Sequence, residues 1–74
     1  MKRVAVTLAH GFEEIETVTV VDILRRAGIS VMVTGVETGT PPGSIEGQTG
    51  IKMVPDVAID EVKSSDFDMI VLPG

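Results

Sequence analysis

An apolar, β-branched run at residues 4–8 leads directly into the small, turn-prone Ala9-His10-Gly11, then an acid-led helical stretch, a glycine and a second β-branched run. This succession restricts the fold more than any other feature of the chain. A strand, a helix and a strand in that order pair in parallel through a right-handed crossover. The spacing predicts the helix over residues 13–27. Glu13, Glu14 and Glu16 stand where the helix dipole favours acids, Arg25 and Arg26 fall in the last turn, and Gly28 stops it. The second strand is expected over 29–36. Gly39, Pro41, Pro42 and Gly43 then break the pattern across 35–43. Segments 44–48 and 51–54 read as a hairpin or bent edge strand around Thr49-Gly50, closed by Pro55. Residues 56–65 are expected to hold a short helix, with Asp60 and Glu61 early and Lys63 late. The run Asp68-Met69-Ile70-Val71-Leu72 is apolar on both faces, as suits a strand in the middle of a parallel sheet covered by helices on each side.

One good helix and one short one cannot cover both faces of such a sheet. The expectation is an α/β fold with a mostly parallel sheet, of which residues 1–74 supply only the N-terminal part of a single domain. A missing C-terminal segment or a companion chain would complete it. With 74 residues, burial is limited to about 60–65% of the unfolded surface and stability is marginal. There is no cysteine and only one histidine, His10, so neither a disulfide nor a Cys- or His-rich metal site can be built. A net charge of −5 with scattered basic residues argues against nucleic acid. No apolar run approaches the roughly 18 residues of a membrane span, and residues 4–8 are too short for a secretory signal after Met1-Lys2-Arg3. The compartment expected by default is the cytoplasm. Ala9-His10-Gly11-Phe12 lacks the G-x-G-x-x-G glycines, so no dinucleotide cofactor is expected.

Glu16 is the leading candidate for chemistry. At about 100° per residue, Glu16, Val20, Ile23 and Ala27 share a stripe with Leu24 at its edge, and that stripe is expected to face the core. A buried carboxylate must be neutral, paired or hydrogen-bonded. Glu16 is therefore either a working acid or, on the plainer reading, a partly exposed first-turn acid favoured by the dipole, a reading that suits Glu13 and Glu14 better. Strand ends in open α/β sheets gather ligands, so residues 9–12 and Pro73-Gly74 are expected to converge. There a carboxylate and backbone N–H groups would suit acyl or carbonyl chemistry. His10 is a pocket candidate as well as an ordinary loop residue, and Gly11 serves a tight turn. A nucleophile is absent: none of Ser30, Ser44, Ser64 and Ser65 lies in a G-x-S-x-G elbow. On the other helix face, Ile15 and Val18 lie among charges with Asp22 and Arg26 paired at i, i+4, which fits a small homodimer interface.

The run Val6-Thr7-Leu8-Ala9-His10-Gly11-Phe12-Glu13-Glu14-Ile15-Glu16-Thr17-Val18, followed by Val21-Asp22-Ile23-Leu24-Arg25-Arg26-Ala27-Gly28-Ile29, Val54-Pro55-Asp56 and Asp68-Met69-Ile70-Val71-Leu72-Pro73-Gly74, resembles the ThiJ/PfpI family, also called the DJ-one superfamily. The G-x-E-E-x-E and V-L-P-G segments are its specific elements. The resemblance implies a flavodoxin-like α/β sandwich well over twice this length, and a homodimer formed partly through the first helix. It also implies an active site that joins an elbow cysteine to a protonated glutamate, the position of Glu16. That glutamate hydrogen-bonds the sulfur and keeps it a reactive thiolate. Gly74 matches the first of two glycines whose N–H groups form an oxyanion-type pocket. The second glycine, the cysteine and its histidine would lie beyond residue 74. Thr49 stands where several relatives carry an arginine.

By this resemblance the intact protein is a cysteine-dependent glyoxalase or protein deglycase, a hydrolase or lyase with no cofactor and no metal, acting on small 2-oxoaldehydes or their adducts. A non-catalytic stress-response or chaperone module is the alternative, and the intracellular peptidase branch of the same family is another. A receiver-like or flavin-binding relative would need an acidic pocket or phosphate loop after the first strand, and Ala9-His10-Gly11-Phe12 supplies neither.

Overall fold

The computed structural model describes residues 2–39 and 41–74. Met1 of the basic N-terminus and Thr40 of the Gly/Pro-rich excursion lie outside the described residues. Strand β1 spans Arg3–Leu8, helix α1 Glu14–Arg26 and strand β2 Ser30–Gly35. β1 and β2 pair in parallel from Arg3↔Ser30 to Leu8↔Gly35, the βαβ unit expected from the sequence. Both helix ends have local causes. The Glu13 carboxylate caps the start by accepting from the N–H groups of Ile15 (2.7 Å) and Glu16 (3.3 Å). Gly28, at φ +82°, turns the chain through the left-handed region that other residues avoid.

A short antiparallel hairpin follows, β3 (Ile45–Glu46) with β4 (Lys52–Met53), in the register Ile45↔Met53. Strand β5 (Val57–Ala58) then joins β2 in parallel, and β6 (Met69–Val71) joins β1 in parallel. The main sheet runs β5-β2-β1-β6, the mostly parallel α/β arrangement expected. The strand order reverses at β1, which has the earlier strand β2 on one side and the last strand β6 on the other.

One expectation about these elements needs correction. Residues 56–65 do not form a helix: they begin with β5 and continue as two separate 3₁₀ turns, Ile59–Glu61 and Ser64–Asp66. The β-branched Val57 pairs with Thr34, and the ladder outcompetes a helix too short to stabilise itself. Among the described residues β6 pairs on one side only, with β1, leaving Met69 57%, Ile70 47% and Leu72 76% exposed.

The core lies between α1, the hairpin and one sheet face. Leu8, Phe12, Val33 and Ile45 form its buried cluster, with Val21 of α1 and Met53 of β4 packed against it. Leu8 and Ile45 are fully buried, and each such side chain contributes about 1.5–3 kcal/mol. Ile45 thereby fastens the hairpin to the sheet. The helix face that packs inward is Glu14, Thr17, Val21 and Leu24, not the stripe running from Glu16 to Ala27. Glu16 and Ala27 are exposed, as is Ile23 (57%). The phase is set by Val21 and Leu24 packing inward and by Glu14 finding hydrogen-bond donors in the hairpin turn.

Candidate functional site

The reversal of strand order at β1 opens a crevice beyond the carboxyl ends of β1 and β6, where open α/β sheets place their ligands. Residues 9–12, Val36 and residues 72–74 line a cleft of about 310 Å³ there. The two segments expected to converge are held together directly, because the Glu13 N–H donates to the Gly74 carbonyl at 2.9 Å. Gly11, at φ +86°, lets the chain turn from β1 toward α1. The N-terminus of α1, the positive end of its dipole, therefore stands at the rim of the cleft.

The three acids of Gly11-Phe12-Glu13-Glu14-Ile15-Glu16 have separate surroundings. Glu13 caps α1 and bonds Gly74 through its backbone. Glu16 is exposed and leans over Gly74: a Cβ built on that glycine would lie 3.6 and 3.8 Å from the two Glu16 carboxylate oxygens. The buried acid is Glu14, 6% exposed. One of its oxygens, Oε2, accepts from the Thr49 hydroxyl (2.6 Å), the Thr49 N–H (2.7 Å) and the Ile51 N–H (3.4 Å). The Thr49 hydroxyl foremost, then these backbone N–H groups, hold the Glu14 carboxyl below its usual value of 4.5 against the opposing effect of desolvation. Glu14, read from the sequence as a partly exposed first-turn acid, is thus the buried one, and Glu16, expected on the core-facing stripe, is exposed.

His10 lines the cleft, and its Nδ1 accepts a long hydrogen bond from the Glu46 N–H (3.4 Å). Ile15 (77%) and Val18 (50%) are exposed as expected, and Arg26 pairs with Asp22 at 3.0 Å. Among the described residues no group of His, Cys, Asp or Glu side chains gathers as a metal site, and no helix is long and apolar enough to cross a membrane. Glu14 and Thr49 went unrecognised as partners in the sequence. The available signal was the alternative helix stripe Glu14, Thr17, Val21 and Leu24, together with a Thr49-Gly50 turn whose N–H groups need an acceptor.

Residues 2–74 match the DJ-1/PfpI family. The chain belongs to that family. Among relatives of this DJ-1/PfpI chain, Protein DJ-1 homolog A of Arabidopsis thaliana is 42% identical over 73 residues, covering 99% of this chain and 18% of that protein. The glutathione-independent glyoxalase DJR-1.2 of Caenorhabditis elegans is 40% identical over 62 residues, covering 84% of this chain and 31% of that protein. The crystal structure of Drosophila melanogaster DJ-1beta superposes with a TM-score of 0.90 at 40% identity, covering 99% of this chain and 38% of that one. This DJ-1/PfpI chain has the family's flavodoxin-like α/β fold and spans well under half the length of these relatives.

Proposed function

We propose that this chain is the N-terminal part of a cysteine-dependent, cofactor-independent glyoxalase or protein deglycase acting on small 2-oxoaldehydes or their adducts. The observation that carries this reading is the Glu16 carboxylate, which stands over Gly74 at the β1/β6 crevice. In the proposed mechanism, a cysteine thiolate from polypeptide outside this chain enters the crevice and attacks the aldehyde carbon. Glu16 hydrogen-bonds the sulfur and favours the thiolate. The developing oxyanion is met by backbone N–H groups beginning with Gly74, close to the positive end of α1. His10, at the cleft wall, is proposed to contact the substrate. The name of the Caenorhabditis elegans relative supports the glyoxalase reading over the peptidase branch.

Further polypeptide is proposed to pair with the exposed edge of β6 and cover Met69, Ile70 and Leu72. The same reading makes the protein a homodimer through α1, with Ile15 and Val18 in contact inside a frame formed by Asp22 and Arg26.

The test uses the intact protein that contains this sequence. Glu16→Gln and Glu16→Ala are expected to move the reactive thiol toward its free value of about 8.5 and to slow methylglyoxal turnover. Unchanged thiol reactivity in both variants removes the role assigned to Glu16 and favours a non-catalytic binding or chaperone module.

A further inference from the structure

The β3–β4 hairpin is tied to the cleft loop as well as to the core. The Gly11 N–H donates to the Glu46 carbonyl (2.8 Å), and the Gln48 N–H donates to the Phe12 carbonyl (2.9 Å). These bonds hold the segment through which β1 passes into α1. The turn that supplies them is closed by Gly47 N–H to Ile51 carbonyl (2.8 Å) and Gly50 N–H to Gly47 carbonyl (3.1 Å). Its remaining donors, on Thr49 and Ile51, all point to one oxygen of Glu14. We propose that Glu14 is a positioning residue: by holding the turn at residues 47–51 it fixes the cleft loop, and with it the angle at which Glu16 meets the crevice.

Three features favour this role over simple core filling. An apolar side chain of the same shape would leave the Thr49 and Ile51 N–H groups without their acceptor, whereas a carboxylate oxygen can accept several bonds at once. The turn is fitted around the acid: a Cβ on Gly47 would lie 2.5 Å from Glu14 Oε2 and 2.7 Å from its carboxyl carbon. That contact cannot be relieved by a simple rotation, because the carboxylate is buried and held by three donors. Lastly, Glu14 and Glu16 leave the same helical turn about 200° apart. A shift of the turn therefore reaches both the loop in front of the helix and the acid on its far side.

The inference rests on the proposed role of Glu16, so its test includes a measurement independent of turnover. In the intact protein, Glu14→Met, which removes the acceptor, and Gly47→Ala are expected to lower kcat for methylglyoxal about tenfold with KM nearly constant, the pattern of displaced groups rather than lost substrate binding. Thr49→Val should move kcat in the same direction by less, and Thr49→Ser, which keeps the hydroxyl, should restore the parent value. Amide hydrogen exchange at Gly11 and Gln48 should accelerate in the first three variants and stay parental in Thr49→Ser. Cooperative melting shows which variants fold; if Glu14→Met does not, Thr49→Val decides. Folded variants with parental kcat and pH profile, or with lowered kcat but parental exchange at Gly11 and Gln48, overturn the proposal. If Glu16→Gln is as active as the parent, the catalytic reading falls, and the exchange data alone decide whether Glu14 holds the loop.

Discussion

Asp56 offers a quantitative test of how the sheet is held together ahead of the site. Its backbone N–H donates to the Val33 carbonyl at 2.8 Å, and its side-chain Oδ2 accepts from the Val33 N–H at 2.8 Å. The carboxylate thus supplies one more rung to β2 just before β5 begins at Val57. Pro55, which precedes it, has no N–H to contribute. The same oxygen meets Arg25 Nη2 at 3.1 Å, with the two side chains 49% and 45% exposed. At that exposure the ion pair is worth about 0–1 kcal/mol. Val33 is 6% exposed, and a buried N–H deprived of its acceptor costs about 1–3 kcal/mol. Asp56→Ala should therefore destabilise by about 1–3 kcal/mol, whereas Asp56→Asn, whose amide oxygen still accepts from Val33, should lose about 1 kcal/mol or less. Arg25→Ala should resemble Asp56→Asn. Urea unfolding at neutral pH measures all three, and hydrogen exchange at the Val33 amide locates the effect. The reasoning is refuted if Asp56→Asn or Arg25→Ala is as damaging as Asp56→Ala, because the charge pair would then carry the stabilisation.

Two further outcomes follow from buried polar groups. Thr17 is fully buried and its hydroxyl has no hydrogen-bond partner, so Thr17→Val should stabilise by about 1 kcal/mol in thermal or urea unfolding; a loss of stability would mean that the hydroxyl is satisfied in solution. The Glu14 carboxyl is held below its usual 4.5 in the folded chain, so its contribution is full above that value and is lost as pH falls through the lower, folded one. Urea midpoints measured from pH 7 down to about pH 3 should therefore fall more steeply for the parent than for Glu14→Gln, and parallel profiles would contradict the assignment.

The β1–α1–β2 unit could be read from the sequence because each element is long enough to show a period and carries its own end signals: three acids, two arginines and Gly28. The hairpin was legible from Thr49-Gly50. β5 was not, since Val57 and Ala58 have no period and become a strand only because Thr34 and Gly35 are there to pair with them. The two apolar faces of residues 69–72 indicated a strand built for burial on both sides, and among the described residues β6 pairs with β1 alone. The helix phase failed for a related reason. The stripe from Glu16 is aliphatic apart from its acid, whereas the stripe from Glu14 also carries Thr17, so hydropathy points to the wrong face. What separates them is the set of donors on Thr49 and Ile51, contributed from 35 and 37 positions away in the chain.

The spacing of the acids in Gly11-Phe12-Glu13-Glu14-Ile15-Glu16 follows from what surrounds the start of α1. Glu13 lies just outside the helix, where its side chain can turn back onto the N–H groups of Ile15 and Glu16 while its own N–H reaches Gly74. One residue later a carboxylate points under the hairpin, where three donors converge. Two residues beyond that, about 200° around the axis, a carboxylate points to the opposite side and overhangs Gly74. Moving any one of these acids by a single position would rotate it about 100°, away from its donors or away from the crevice. The three glutamates are chemically identical but not interchangeable. Charge alone, as a favourable interaction with the helix dipole, would tolerate any order within the first turn; the hairpin and the β1/β6 crevice do not.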